Sequence, residues 1–368
     1  MQWVWQQKKW PEFEYDNTKL YEIETAFQRN IGRLIASITH AESSYAQELK
    51  IEILTDEGLS TSSIEGEILQ RDSVQSSIRK HLGLKHEKKK SDPASAGIAE
   101  LMVNLYKTYD DRLSHKTLHS WHQMVTNGRR DLENIGTYPT HTEPMQIIAG
   151  NYTRPVIYFE APPSNIIKKE MDRFIKWYHR VLDKKVEIPT LIFAGIVHVY
   201  FEMIHPYEDG NGRIGRALVE KAISQRIGMP SLLSWVKIIE QKKKNYYAEL
   251  QKCNTNLDIS DWLLFFAESV IEAQEYSIRM VEFIISKSKF FYRYQSFLNP
   301  RQEKVILRIF EAGIEGFKGG LSADNYKTIA QTSPATTTRD LQELVALNVL
   351  TKSGILKHTR YYLNLEDL

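Results

Sequence analysis

Between two helix-forming segments lies a twelve-residue turn, His205-Pro-Tyr-Glu-Asp-Gly-Asn-Gly-Arg-Ile-Gly-Arg216, whose makeup leaves the chain few ways to fold around it. Upstream, Pro189 to Ile204 carries Leu191, Ile192, Phe193, Ile196, Val197 and Phe201, apolar enough for a buried helix. Downstream, Arg216 to Ile223 is a second strong helix former. Asp209-Gly-Asn-Gly212 holds residue types that tolerate left-handed backbone and let a ligand approach the main chain. A glycine-rich turn feeding a helix N-terminus presents unpaired N–H groups, and such groups bind phosphate. Arg213 and Arg216 add charge-assisted contacts to the same anion. The turn reads as a polyphosphate cradle with a histidine at its lip. The bland alternative is a solvated helix corner with an incidental histidine.

These twelve residues resemble the signature of Fic-domain proteins, His-Pro-Phe-x-(Asp/Glu)-Gly-Asn-Gly-Arg-x-x-Arg, with Tyr207 in place of the phenylalanine. The resemblance implies a mainly α fold, a Fic-type helical core with a small β-hairpin flap. It also implies a protein adenylyltransferase, moving AMP from ATP to a Ser, Thr or Tyr hydroxyl. Carried onto this chain, His205 would be the catalytic general base, a role that suits a neutral imidazole with a reference pKa of ~6.5. Asp209 would hold Mg²⁺ against the phosphates. ATP would meet Gly210, Asn211, Gly212, Arg213, Ile214, Gly215 and Arg216, with the arginines on the phosphates.

Two further stretches resemble parts of the same family. Glu143 to Gly150, followed by Val156 to Pro163, reads as a small hairpin closed by Gly and Pro. By the resemblance it is the flap that docks the target by strand addition, working through Gln146, Ile147, Ile148, Ala149 and Gly150. By itself it reads as an ordinary surface hairpin. The family's Gly-x-Tyr-Arg upstream of the flap stands here as Gly136-Thr-Tyr-Pro139. Tyr246, Tyr247 and Asn254 resemble the wall that contacts adenine and ribose; the alternative for the tyrosines is a place in a helix core.

Thr61-Ser62-Ser63-Ile64-Glu65-Gly66 resembles the family's inhibitory motif, (Ser/Thr)-x-x-x-Glu-(Gly/Asn), placed N-terminal to the core. Ile64, Ile68, Leu69, Val74, Ile78 and Leu82 are loosely helical in spacing, so an inhibitory helix is expected over about 60–82. The resemblance pairs Glu65 with Arg216, where the carboxylate would occupy the γ-phosphate's space. A buried pair of this kind is costly to break from one side.

Forty-eight basic and 46 acidic side chains in 368 residues give a net charge of +2, so nothing global calls for nucleic acid or a membrane surface. Cys253 is the single cysteine, which excludes an internal disulfide framework and suits a reducing cytosol. The first residues lack the apolar core of a secretory leader. No run approaches the ~20 apolar residues of a membrane helix. A cytoplasmic protein is expected. His119 and His122 lack paired acids at ligand spacing and read as surface or core histidines rather than metal ligands.

Three regions are expected: 1–93, helical and carrying the inhibitory helix; 94–285, the catalytic core; and 300–368. The last has a helix over 301–312, a short helix over 324–331, then Ser333 capping a helix with Pro334 in its first turn. Leu350 to Leu356 and Thr359 to Leu363 read as a two-stranded wing, so the pattern resembles a winged helix-turn-helix. Thr336, Thr337 and Arg339, with Lys352, Lys357 and Arg360 nearby, would face a DNA groove. Such modules also serve in dimerisation and protein docking.

Two classes of function therefore compete. One is a self-inhibited adenylyltransferase using ATP and Mg²⁺ on a hydroxyl-bearing protein, this chain itself included, with a homodimer as a candidate assembly. The other is a nucleotide-sensing regulator that binds DNA, the less favoured partner. Within the enzyme class, Glu65 could instead support removal of AMP. An intact His205, Asp209, Asn211 and both arginines argue for chemistry.

Overall fold

The computed structural model describes residues 2–39, 43–85, 91–141, 144–149, 156–314, 316–317 and 319–365. They form two compact units, one of Met1–Ala36 with Lys50–Ser277, the other of Ser37–Leu49 with Ile278–Leu368. The fold is mainly helical, with two small two-stranded sheets.

In the first unit the aromatic N-terminus is an irregular strap. Val4–Gln6 makes one 3₁₀ turn. Trp3 meets Phe159 edge-on at 5.7 Å, and Trp10 Nε1 donates to Glu170 Oε2 at 2.9 Å. Helices α1 (Leu20–Thr39), α2 (Ser43–Ile64) and α3 (Arg71–His81) follow.

The single helix expected over 60–82 is therefore two helices with a break. Gly66 adopts φ +85. Its N–H donates to Ser63 O and that of Glu67 to Ser62 O, both at 3.0 Å. This is a Schellman ending, which glycine permits because no Cβ opposes the left-handed backbone. Ile68, counted in the helical spacing, is 88% exposed. Glu65 thus lies just past the end of α2, held by the turn that stops it.

Helix α4 (Pro93–Lys107) starts on Asp92, whose side chain accepts from Ser95 N–H. Helix α5 (His115–Val125) starts on Ser114, which accepts from Thr117 N–H. Strands β1 (Gln146–Ala149) and β2 (Val156–Glu160) pair antiparallel, Gln146 opposite Glu160 and Ile147 opposite Phe159, with an irregularity after Ile147. The expected hairpin is present. Gly150, expected at its working end, lies outside the described residues.

Helices α6 (Ser164–Leu182), α7 (Thr190–Ile204), α8 (Asn211–Ile227), α9 (Trp235–Gln241), α10 (Lys243–Cys253) and α11 (Ser260–Tyr294) complete this part of the chain. Every residue of α7 is buried, as its apolar sequence requires. Trp262 Nε1 donates to Gly195 O at 2.9 Å, an approach that a side chain at Gly195 would obstruct, since its Cβ would fall 2.6 Å from Leu263 Cδ2.

In the second unit, α12 (Pro300–Phe310), α13 (Ala323–Ala330) and α14 (Pro334–Ala346) precede an antiparallel hairpin of β3 (Leu350–Ser353) and β4 (Arg360–Leu363). Val305, Ile306, Leu341, Leu344 and Val349 form its core. Buried Asp340 accepts from Arg301 Nε at 3.1 Å and from the Tyr326 hydroxyl at 3.0 Å. Ser333 caps α14 as its sequence indicates. Thr337, expected on an outward recognition face, is instead buried, while Arg339 is exposed. The side chain of Lys357 lies outside the described residues. Among the described residues, no helix is long and apolar enough to cross a membrane.

Candidate functional site

His205 caps α7 in the left-handed region, at φ 47 and ψ 60. A non-glycine residue there carries about 1–3 kcal/mol of strain, which the surrounding packing must offset. The packing comes from the next residues. Tyr207 is fully buried, its ring stacked on His122 at 4.2 Å and its hydroxyl 3.1 Å from His119 Nδ1. His122 is a core histidine that accepts from Gly136 N–H at 2.9 Å. The phenol in place of phenylalanine thus keeps the ring buried and gains a polar partner.

Asn211 closes the loop on itself. Tyr207 N–H donates to Asn211 Oδ1 at 3.0 Å, and Asn211 Nδ2 donates to Tyr207 O at 2.6 Å. Its side chain therefore braces the turn and is not presented to an anion. Gly210, at φ +81, opens α8. The main-chain N–H groups of Asn211, Gly212 and Arg213 head this helix ahead of the first intrahelical donor, Ile214 N–H to Gly210 O at 3.0 Å.

Within α8 the predicted residues divide. Ile214 is a core residue. Gly215 faces inward, where a methyl group would lie 2.5 Å from Glu202 Oε1. Gly212 faces the cradle, and a methyl group there would lie 2.2 Å from Glu65 Oε1 and 2.9 Å from Arg216 Nη1. Arg216 is 2% exposed. Its Nε donates to Thr61 Oγ1 at 2.8 Å, and its Nη2 to Thr61 O at 3.0 Å and Glu65 Oε1 at 2.6 Å. Burial opposes its charge, but Glu65 together with Tyr246 and Tyr247 outweighs that and raises its pKa.

A second chain of ion pairs runs beside the first. Arg213 Nη1 donates to Glu67 Oε2 at 3.1 Å and to Val125 O at 3.0 Å, and its Nη2 to Asp209 Oδ1 at 3.4 Å. Arg129 Nη1 pairs with the other oxygen of Asp209. Burial pushes the Asp209 carboxyl up, but Arg213, the Gly210 N–H and Arg129 together hold it below its usual range. These groups line a cavity of about 400 Å³ with Glu65 and Gly66. Among the described residues no cluster of three His, Cys, Asp or Glu could hold a metal by itself. Asp209 alone fits a cation such as Mg²⁺, which takes one or two carboxylates and completes its shell with phosphate oxygens and water.

A neighbouring cavity of about 270 Å³ is lined by Ile147, Tyr158, Phe159, Met203, Tyr247 and Asn254 among others. Tyr247 is 42% exposed and borders it, whereas Tyr246 is buried, its hydroxyl 2.8 Å from His198 Nε2. Of the two tyrosines expected to face a base, one faces the cavity and the other supports it from the core. Asn254 Nδ2 donates to Tyr158 O at 2.9 Å, tying α10 to the hairpin.

Burial lowers the His205 pKa to about 4, so the imidazole is neutral at working pH. Three contributors were not legible as functional residues: Arg129 on Asp209, Glu67 on Arg213, and Glu202. The last had a signal, as the only carboxylate in an otherwise apolar helix, three residues before His205.

Residues 112–223 match the family model described as "Fic/DOC family". This chain carries a Fic domain. Residues 3–84 match a second model, a domain of unknown function (DUF4172). The Fic domain is similar to curated proteins named protein adenylyltransferase Fic. That of Nematostella vectensis is 34% identical over 131 residues, covering 34% of this chain and 28% of that protein. That of Drosophila melanogaster is 28% identical over 131 residues, covering 35% and 25%. The match thus spans roughly a quarter of these relatives' length. Among solved structures, a Fic family protein from Desulfovibrio desulfuricans shares the fold at TM-score 0.56 and 18% identity, covering 96% of this chain and 98% of that one. A Fic domain-containing signaling protein from Bacteroides thetaiotaomicron does so at 0.52 and 18%, covering 69% and 97%.

Proposed function

We propose that this protein is an adenylyltransferase that moves AMP from ATP to a hydroxyl side chain of a protein and is restrained by its own Glu65. The observation that carries the reading is the Glu65–Arg216 pair closing on the N-terminus of α8 beside a neutral His205. His205 takes the proton of the attacking hydroxyl. The oxygen bonds the α-phosphorus as the bond to the bridging oxygen breaks and diphosphate leaves. The N–H groups heading α8, with Arg213 and Arg216, neutralise the phosphates. Asp209 would hold Mg²⁺, which would supply further charge neutralisation and orientation when bound.

Base and ribose fit the cavity bordered by Tyr247 and Asn254. Among the described residues Gln146 to Ala149 pair on one side only, which suits target docking by strand addition. In this reading residues 1–93 carry the restraint, 94–285 the chemistry and 300–368 a winged-helix-like module. Helices α12 to α14 followed by the β3–β4 hairpin support that last assignment.

Wild type, Glu65→Gly and His205→Ala, each incubated with Mg²⁺-ATP and weighed by intact-mass spectrometry, test the reading. A gain of one AMP in Glu65→Gly, absent in His205→Ala, is the expected result. No gain in Glu65→Gly, even with a lysate supplied as target, overturns it.

A further inference from the structure

Buried His198 and Glu202, one turn apart on α7, and the partly buried capping His205 bring three titratable groups together, with Arg216 of α8 acting on Glu202. Each leaves a buried polar atom without a close hydrogen-bond partner, His198 Nδ1, Glu202 Oε1, His205 Nδ1 and Arg216 Nη1, although the main chain of Gly215 favours the charged form of His198 and that of Glu202 the charged form of His205. Four such atoms around one helix contact are unusual, because an unpaired buried polar group is costly. Gly215 makes the crowding workable, since a methyl group there would fall 2.5 Å from Glu202 Oε1 and 3.1 Å from His198 Nδ1.

Glu202 Oε2 lies 3.9 Å from His205 Nδ1. That is too long for a hydrogen bond, but catalytic contacts often tighten only when substrate is bound. The charged groups facing Glu202 come from every neighbour: Arg216 on α8, Glu65 after α2, Tyr246 and Tyr247 on α10, and the two histidines flanking it on α7.

We propose that Glu202 is the positioning residue for His205, accepting from its Nδ1–H. This rests on His205 being the base. With Nδ1–H held by the carboxylate, Nε2 takes the hydroxyl proton as the oxygen–phosphorus bond forms. The resulting imidazolium is then paired with an anion until it returns the proton to water.

Burial raises the Glu202 pKa to about 8, with Arg216 opposing the rise and Glu65 adding to it.

The test uses the full chain in three forms: Glu65→Gly, Glu65→Gly with Glu202→Gln, and Glu65→Gly with Glu202→Asp. His205 is titrated by NMR, its signal assigned by loss in His205→Ala, and self-modification with Mg²⁺-ATP is timed in parallel. The expected result is a His205 pKa at least about one unit lower in the Gln form. A fall of at least about tenfold in kcat, with little change in KM for ATP, should accompany it, and the Asp form should recover part of both. An unchanged His205 titration and kcat in the Gln form overturns the role of Glu202, whatever His205→Ala does. No AMP transfer in Glu65→Gly, with the titration still responding to residue 202, overturns the adenylyltransferase reading instead.

Discussion

Arg216 Nη2 donates to Glu65 Oε1 across 2.6 Å, joining the first turns of α8 to the residue that ends α2. The guanidinium is buried almost completely while the carboxylate side chain is 30% exposed. The pair is therefore asymmetric: the arginine is fixed by Thr61 and its own burial, and the glutamate is the member free to leave. In the proposed reading the glutamate would restrain the site by occupying space and charge.

Glu65→Gly should raise the rate of self-modification by about tenfold or more, corresponding to loss of about 1.4 kcal/mol or more of closing free energy. Initial rates with radiolabelled ATP measure this. An unchanged or lower rate would mean that the closed pair does not limit turnover.

Thr61→Val removes the acceptor for Arg216 Nε in a buried setting. A hydrogen bond to a charged group contributes about 1.5–3 kcal/mol, so unfolding in urea should show a loss of that order. A loss under about 0.5 kcal/mol would place the arginine's support on Glu65 and the Thr61 carbonyl.

Burial lowers the pKa of His122 and His205 to about 4 and of His198 to about 3. Each lies below the unfolded value of ~6.5, so the unfolded chain binds protons first as pH falls. Stability from these groups is full above pH ~6.5 and is lost as pH drops from there towards 4. His122→Gln should flatten the slope of unfolding free energy in that window by about 1.4 kcal/mol per pH unit. Urea unfolding at a series of pH values tests it, and an unaltered slope would show that His122 is protonated in the native state.

Chelating Mg²⁺ should abolish transfer. Asp209→Asn should raise the Mg²⁺ needed for half-maximal rate by at least about tenfold, a loss typical even for groups that only orient a metal ligand. Arg129→Ala, which frees the second oxygen of Asp209, should shift the requirement the other way. A metal titration of the Glu65→Gly protein carrying each change separates these outcomes.

The site was readable where chemistry and backbone demands coincide in a short segment. Asp209 to Gly212 need left-handed angles and close approach, and Pro189 to Ile204 can only be a buried helix, so α7, the turn and α8 follow from local sequence. The break after Ile64 was hidden because apolar residues continue at helical spacing across it. Only tertiary packing reveals that Ile68 faces solvent. The resemblance sets Asn211 against ATP, but loop geometry decides what an amide touches, and here its side chain holds Tyr207. Arg129 and Glu67 meet their partners across 80 and 146 positions, a relation that no local pattern carries.

Gly212 has a hydrogen where any other residue would carry carbon, and the Glu65 carboxylate rests against that gap. In the proposed mechanism a nucleotide phosphate needs the same gap. Restraint and catalysis are therefore tenants of one volume, and no substitution at this position can evict one while housing the other. On that reading a chain that keeps this glycine for its chemistry keeps the lock's keyhole with it, and release would come from Glu65 or from the Arg216 that seats it.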